Sequence, residues 1–466
     1  MNVMDKSDSS GIPSAVIGIV EAGTPRGNAD YHCLVGRDLL IDAEQLSRYC
    51  LRDLDPIIDD MVLIAGSVAF SDRVVARKTS VAWRRNLQVI VPVHNPDFWS
   101  ESNLLRSIVS TLDLLTGDNW TLLFKSRKHH TQVKPQSVLP LGGSPSLVMP
   151  YSDGLDSFAA ARLVSAQNPG VSLVLVTTGK RRTPALDASN AGLQSQMYRV
   201  AIPFRLSRSG GRVRYCEPSY RSRAFVFGVM AGIAAHLLHV PKVFISESGQ
   251  GALGPWLLPV GNEAPDLRMH PLFTSQFAAM LKLIFGTDVA HVHPQLWKTK
   301  GETLLDLKDL GAVDGWWLTS SCARDPRHVT LGNRRIQCGI CAGCLLRRQS
   351  LHSAGLKNDQ ERYLWNDLSA PSLNQAVNGS KRATSKNDEQ QAVCAVLEMQ
   401  HFAEAALARE LIRSRASELC AVVGEPHAEV QRKLHHLIST HSTEWNRFLS
   451  QLGPRSFIKT WLESRL

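Results

Sequence analysis

The segment Pro150-Tyr151-Ser152-Asp153-Gly154-Leu155-Asp156-Ser157 has the composition of an anion cradle, placed where a short apolar strand ends and a helix is due to begin. A turn of small residues exposes backbone N–H groups there. The first turn of the helix adds unsatisfied donors and the positive end of its dipole. Ser152 and Ser157 supply hydroxyls, and Gly154 lets the backbone come close to a ligand. Asp156 would be repelled by phosphate unless a cation lay between them, so its expected role is to hold Mg²⁺. The competing reading is a plain turn followed by an N-capped helix. The loop is not a Walker P-loop, because no Gly-Lys-Ser/Thr follows a four-residue spacer.

A second group of residues could hold a metal. The chain has 9 cysteines. Cys322, Cys338, Cys341 and Cys344 crowd together, whereas Cys33, Cys50, Cys216, Cys394 and Cys420 are scattered. Two-residue spacers let consecutive thiolates bind one ion, and Gly339 and Gly343 permit tight turns. Cys322 closes the set from a loop carrying Asp325, Arg327 and His328. A closed four-cysteine site leaves no position for substrate, so a structural Zn²⁺ is expected. An iron–sulfur cluster, a redox cysteine pair, or His328 in place of one cysteine are the alternatives. Clustering of this kind fits a reducing compartment better than a secreted disulfide framework.

These groups need elements to hold them. Leu147 to Met149 reads as a strand, a helix begins near Asp156, and Ser172 to Thr177 is an all-apolar strand of the kind buried in a parallel sheet. Phe225 to Leu238 reads as a helix and Lys242 to Ile245 as another strand. This alternation predicts a doubly wound, Rossmann-like parallel sheet, which binds ligands beyond the carboxyl ends of its strands. Upstream, Ser14 to Val20, Leu87 to Val93 and Trp120 to Lys125 read as strands, and Asn103 to Leu115 as a helix. Residues 129–146 are polar and turn-rich, a domain boundary. Residues 368–389 are poor in large apolar groups and read as a linker. From about Gln390 the chain reads as helical, with stripes at Val393 to Ala406, Val430 to Ile438 and Phe457 to Leu466. The expected division is an N-terminal α/β domain over 1–140, a nucleotide-binding α/β domain with the cysteine loop over 141–355, a linker over 356–389, and a helical region over 390–466.

A composition of 44% hydrophobic and 20% charged residues is that of an ordinary globular protein. No run approaches the roughly 18 to 20 apolar residues that span a bilayer. The start of the chain is polar, with no charged-then-apolar leader pattern, and a cytoplasmic location is expected. The net charge of +10 permits an anionic partner, with basic clusters at Lys125 to Lys134 and Arg205 to Arg214, or is simply a basic surface.

The loop resembles the S-G-G-x-D-S motif of the PP-loop ATP pyrophosphatases, which cleave ATP to AMP and pyrophosphate; Asp153 stands where that family usually has glycine. Paired with C…CGxCxxC downstream, it resembles the 7-cyano-7-deazaguanine synthases (the QueC type) over roughly residues 147–350. Gly179-Lys180-Arg181-Arg182 is similar to a G-Q-R-H-like segment of that family, and Arg221 with Phe225 to its R-N-x-x-F helix start. The long flanking regions look more like the divergent QatC branch encoded in bacterial anti-phage defence clusters.

The resemblance implies adenylation of a deazapurine acid, 7-carboxy-7-deazaguanine, followed by amine attack to an amide and then a nitrile. Adenylation is chemically sensible because AMP is a far better leaving group than oxide. The enzyme's part is to position the reactants and stabilise developing charge. Implied ATP contacts are Ser152, Asp153, Gly154, Leu155, Ser157 and Thr178, with Asp156 on Mg²⁺. Lys180, Arg181 and Arg182 would balance triphosphate charge, or are surface cations. Glu247, in Ile245-Ser246-Glu247-Ser248-Gly249-Gln250, either accepts two N–H bonds from a guanine-like ring or caps its loop. Arg268, His270, His291 and His293 either line the same edge or serve the core, and Tyr220 either stacks on a base or packs. The large flanking regions suggest a partner protein as amine acceptor, or else dimerisation and regulation. Two rivals stay open: a tRNA-modifying enzyme of the same loop class, binding RNA through the positive charge, and a degenerate nucleotide-binding regulator, suggested by Asp153.

Overall fold

The computed structural model describes residues 11–50, 55–128, 146–179, 197–207, 213–258, 263–324, 329–331, 334–377 and 384–464. The segment 129–145, read as a domain boundary, lies outside them. The N-terminal part contains strands β1 (Ser14–Val20), β2 (Tyr31–Leu34) and β3 (Leu39–Ile41). Helices α1 (Glu44–Cys50) and α2 (Pro56–Val74), strand β4 (Asn86–Val93), helices α3 (Pro96–Trp99) and α4 (Ser102–Thr116), and strand β5 (Asn119–Ser126) follow. The strands form a parallel sheet of order β2-β1-β4-β5. Helix α2 starts at an Asp55 cap with Pro56 behind it, and nearly every residue from Ile58 to Val74 is buried. It is buried almost all round, so it carries no one-sided helical period in the sequence.

The central part contains β6 (Ser146–Pro150), α5 (Leu155–Gln167), β7 (Ser172–Thr178), β8 (Met197–Ile202), β9 (Phe204–Leu206) and α6 (Arg223–Leu237). It continues with β10 (Lys242–Phe244), α7 (Gly249–Leu257), α8 (Pro271–Phe285), β11 (Ala290–Val292) and α9 (Lys300–Asp309). Its parallel sheet has the order β11-β10-β6-β7-β8, so the chain starts in the middle, winds outward one way and then the other. That reversal, between β6 and β10, is the switch point where such sheets bind ligands. Both faces of β7 are buried: Leu173 and Leu175 pack with Ala160, Ala161 and Val164 of α5, while Val174 and Val176 join the core that includes α6. This is why its sequence is an unbroken apolar run.

The two sheets are joined directly. Helix α2 packs on α6, and β3 pairs antiparallel with β9. Arg85, fully buried, places Nη2 2.7 Å from Asp72 and 2.6 Å from Asp118. Asp72 in turn accepts from the Ser222 N–H and hydroxyl at the start of α6, at 2.9 and 2.8 Å. Buried charges survive only when paired in this way.

The rest consists of the short β12 (Thr330–Leu331) and β13 (Arg334–Arg335) hairpin and helices α10 (Ala342–Ser353), α11 (Lys386–Glu404), α12 (Arg409–Val423), α13 (His427–Ser450) and α14 (Phe457–Glu463). A separate core gathers three of the clustered cysteines with Trp365, Val396, Trp445 and Phe457. Part of the stretch read as a linker belongs to it. Leu368, Ala370, Leu373 and Ala376 are buried there, and the Phe457 N–H donates to the Ala370 carbonyl at 2.9 Å. These apolar residues are isolated among polar ones, so composition concealed the burial. Among the described residues no helix is long and apolar enough to cross a membrane.

Candidate functional site

Strand β6 delivers the serine-rich loop to the switch point. The Tyr151 N–H is held by the Val176 carbonyl at 2.8 Å, and the chain then turns through Ser152 and Asp153 into α5. Gly154 is the N-cap and offers no side-chain acceptor, so the first-turn N–H groups of α5 are not taken by a capping side chain. Three hydroxyls converge beneath: Ser152 and Ser157 oxygens are 3.0 Å apart, and Ser157 is 3.1 Å from Ser246, just past β10. Ser246 was not foreseen as part of the cradle. Leu155 contributes only backbone, because its side chain is buried with Phe158 in the core behind.

Asp156, in the first turn of α5, pairs through Oδ2 with Lys300 Nζ at 2.7 Å. Its Oδ1 is buried without a hydrogen-bond partner. Lys300 is itself only 6% exposed, at the start of α9. The carboxyl of Glu247 is pushed up to about 7, by burial first and the charge of Asp156 second, against Lys300, Arg268 and Arg223. Glu247 lines the cleft that opens around Asp156.

Around these groups opens a cleft of about 1020 Å³, the upper end of the range for small-molecule sites and ample for two reactants. Thr178 and Asp153 line it. So do residues from both flanking regions: Arg77 and Trp83 from the N-terminal part, and Glu398, Met399, Phe402 and His441 from the C-terminal helices. Trp83 lies within 4.6 Å of the Arg77 guanidinium and 4.7 Å of that of Arg221. Arg221 is held by Glu263 at 3.1 Å. Arg268 lines the cleft and pairs with Asp266.

The cysteine loop forms one wall. The sulfurs of Cys322, Cys338, Cys341 and Cys344 all lie within 4.8 Å of one another, a donor set that could hold a metal ion such as zinc. The Cys338 N–H points at the Cys322 sulfur at 3.4 Å and the Cys341 N–H at the Cys338 sulfur at 3.3 Å, bonds that favour thiolates. Gly339 has φ +91°, and a Cβ there would strike the Trp365 carbonyl at 2.5 Å; one on Gly343 would lie 2.3 Å from the Ser321 carbonyl. The neighbouring Ser320 N–H donates to the Asp153 carbonyl at 2.7 Å, tying the cysteine loop to the serine-rich loop.

Other expected residues fall elsewhere. His270 caps α8, accepting from the Leu272 N–H at 3.0 Å, and His293 meets Thr274 at 2.9 Å. Neither they nor His291 lines the cleft, and burial lowers the pKa of all three. Phe225 packs edge-on against Phe277, and Tyr220 packs against Arg73. Lys180, Arg181, Arg182, Asp325, Arg327 and His328 lie outside the described residues. Lys300 was missed. Its Thr299-Lys300-Gly301-Glu302 context signals a helix start, but nothing in the sequence ties that helix to Asp156. Compared with models of known protein families, the chain matches none, and no curated protein matches it.

Proposed function

We propose that this chain uses ATP to activate a carboxylate and passes the acyl group from AMP to an amine. The observation that carries this reading is the meeting of Asp156 and Lys300, 2.7 Å apart, over a cradle of serine hydroxyls at the switch point of a parallel sheet. In the first step a substrate carboxylate oxygen attacks the α-phosphorus, and the bond to the pyrophosphate oxygen breaks. In the second an amine nitrogen attacks the acyl carbon, AMP leaves, and the nitrogen releases its proton to solvent.

The hydroxyls of Ser152, Ser157 and Ser246 and the first N–H groups of α5 bind the phosphates. Lys300 opposes the charge that grows on departing pyrophosphate. Aimed donors of this kind contribute roughly 10²–10³ in rate. Among the described residues, cleft carboxylates (Asp153, Asp156, Glu217, Glu247, Glu263, Asp266, Glu398) stand beside cations (Arg77, Arg221, Arg223, Arg268, Lys300), and a divalent ion would offset the carboxylate charge for a polyanion. Asp156 with Glu247 would hold Mg²⁺, which supplies charge neutralisation across the phosphates. The four cysteines would hold a structural Zn²⁺ and brace Ser320 under the phosphate loop. Trp83, Arg221 and Arg268 offer a flat surface and donors for a planar acid. On the resemblance, that acid is 7-carboxy-7-deazaguanine, the amine is ammonia or an amine of a partner protein, and the setting is anti-phage defence in the cytoplasm.

The test is mass spectrometry after incubation with ATP, the deazapurine acid, and either ammonium or proteins encoded beside this one. AMP, pyrophosphate and an amide, nitrile or mass-shifted partner are expected. Intact ATP under every combination overturns the reading.

A further inference from the structure

Lys300 is the first residue of α9, where N–H groups lack partners within the helix. Its N–H donates to Gln250 Oε1 at 2.7 Å. Gln250 Nε2 lies 2.7 Å from His441 Nδ1, and His441 Nε2 lies 3.0 Å from the Met399 carbonyl. A carbonyl only accepts, so Nε2 carries the proton and Nδ1 is left to accept from Gln250. The links run in one direction, from the backbone of Lys300 through Gln250 to His441 and on to α11. His441 is 1% exposed, and burial lowers its pKa to about 4, which keeps it an acceptor near neutrality.

One turn further along α13, Glu444 Oε1 accepts from the Thr299 hydroxyl at 2.8 Å. The Thr299 oxygen in turn accepts from the Glu302 N–H at 3.0 Å, as N-cap of α9. Helix α13 also presses on bare backbone. A Cβ on Gly301 would lie 2.1 Å from Glu444 Oε1, and one on Gly249 would lie 2.7 Å from Leu437. Leu437, His441 and Glu444 recur at four- and three-residue spacing, so a single face of α13 touches the starts of both α7 and α9. Apolar packing would hold two helices together as well as this polar network does. What the network adds is direction, because its bonds end on the backbone and cap of the residue facing Asp156.

We propose that α13 belongs to the nucleotide site, with His441 and Glu444 as positioning residues that aim Lys300 at the phosphates. The proposal rests on the reading of the cleft as an ATP site. It makes the C-terminal helices a working wall of the active site rather than an appended module.

The experiment compares Glu444→Ala, Glu444→Gln and His441→Ala, each alone and with Lys300→Ala, in the full chain. Competitive acylation of lysines, read by peptide mass spectrometry, reports the environment of Lys300 without any need for turnover. Lys300 should react several-fold less than exposed Lys282 in the wild type, gain reactivity in both alanine variants, and regain protection in Glu444→Gln. Pyrophosphate release should lose about tenfold in kcat with a smaller change in KM for ATP. The loss should vanish in the Lys300→Ala background, as it must for residues that act through one another. If His441→Ala fails to fold, the Glu444 pair decides alone. Unchanged Lys300 labelling, or losses that add to that of Lys300→Ala, overturns the positioning role. A labelling response in a protein that never releases pyrophosphate upholds that role and defeats the ATP reading instead.

Discussion

The ammonium of Lys300 and the Oδ2 of Asp156 lie 2.7 Å apart, joining the first turn of α9 to the first turn of α5. The other oxygen of Asp156 is buried and accepts no hydrogen bond, which in a native site asks for a ligand. Asp156→Ala should therefore abolish AMP formation, with a lowered melting temperature because it leaves the buried Lys300 ammonium unpaired. Lys300→Ala should lower kcat by about a hundredfold, the usual cost of removing one aimed donor. Asp153→Gly should be tolerated or faster, because the Ser320 N–H donates to the Asp153 backbone carbonyl, which glycine keeps. Near wild-type turnover by Asp156→Ala defeats the assignment.

The four cysteines pack into the same core as Trp365, Trp445 and Phe457. Metal binding energy then becomes folding energy for that part of the chain. Elemental analysis should find about one zinc per chain, and a strong chelator should lower the melting temperature. Cys341→Ser should give insoluble or heat-labile protein. Soluble, fully stable Cys341→Ser, or a brown iron-containing protein, would count against a structural zinc.

The chemistry-bearing segments were legible because they are local. The serine-rich loop, the CxxC spacing, and strands such as β7 each declare themselves within a few residues. What stayed hidden is long-range or lacks a period. Helix α2 is buried on every side and so shows no stripe. Ser246 and Lys300 reach the serine-rich loop, and His441 reaches Gln250 behind Lys300, only because the fold sets β10 beside β6 and α13 against α9. Glu247, Asp156 and Arg268 line one cleft although they are far apart in the chain, which no spacing could reveal.

Two glycines make opposite predictions. A Cβ on Gly343 would sit 2.3 Å from the Ser321 carbonyl, a backbone atom that cannot swing aside. Gly343→Ala should cost about 1–3 kcal/mol, the range for overpacking, and should weaken metal retention. Gly254, inside α7, has nothing within 4 Å of such a Cβ. Gly254→Ala should leave the protein as stable or gain about 0.5–1 kcal/mol from the lost freedom of the unfolded chain. Chemical denaturation of both variants decides, and equal effects would mean the helix contact at Gly343 is looser than drawn.

Acid should unfold this protein earlier than carboxylate titration alone would. His270 is fully buried and His441 1% exposed, and burial lowers their pKa values to about 3 and about 4. The ordinary value, 6.5, applies once the chain unfolds. As pH falls below 6.5 the unfolded chain takes up protons that the folded histidines refuse. Stability is thus fully present above that point and is lost as pH falls toward 4. Each histidine contributes about 1.4 kcal/mol per pH unit over this window, so the pair removes roughly 3 kcal/mol at pH 5.5. The melting temperature should drop by several degrees between pH 7 and 5.5 with zinc content unchanged. His270→Asn keeps an acceptor for the Leu272 N–H but cannot titrate. His291 and His293 are lowered in the same way, so that variant should lose about a quarter of the histidine contribution, and an unaltered slope would place the acid sensitivity elsewhere.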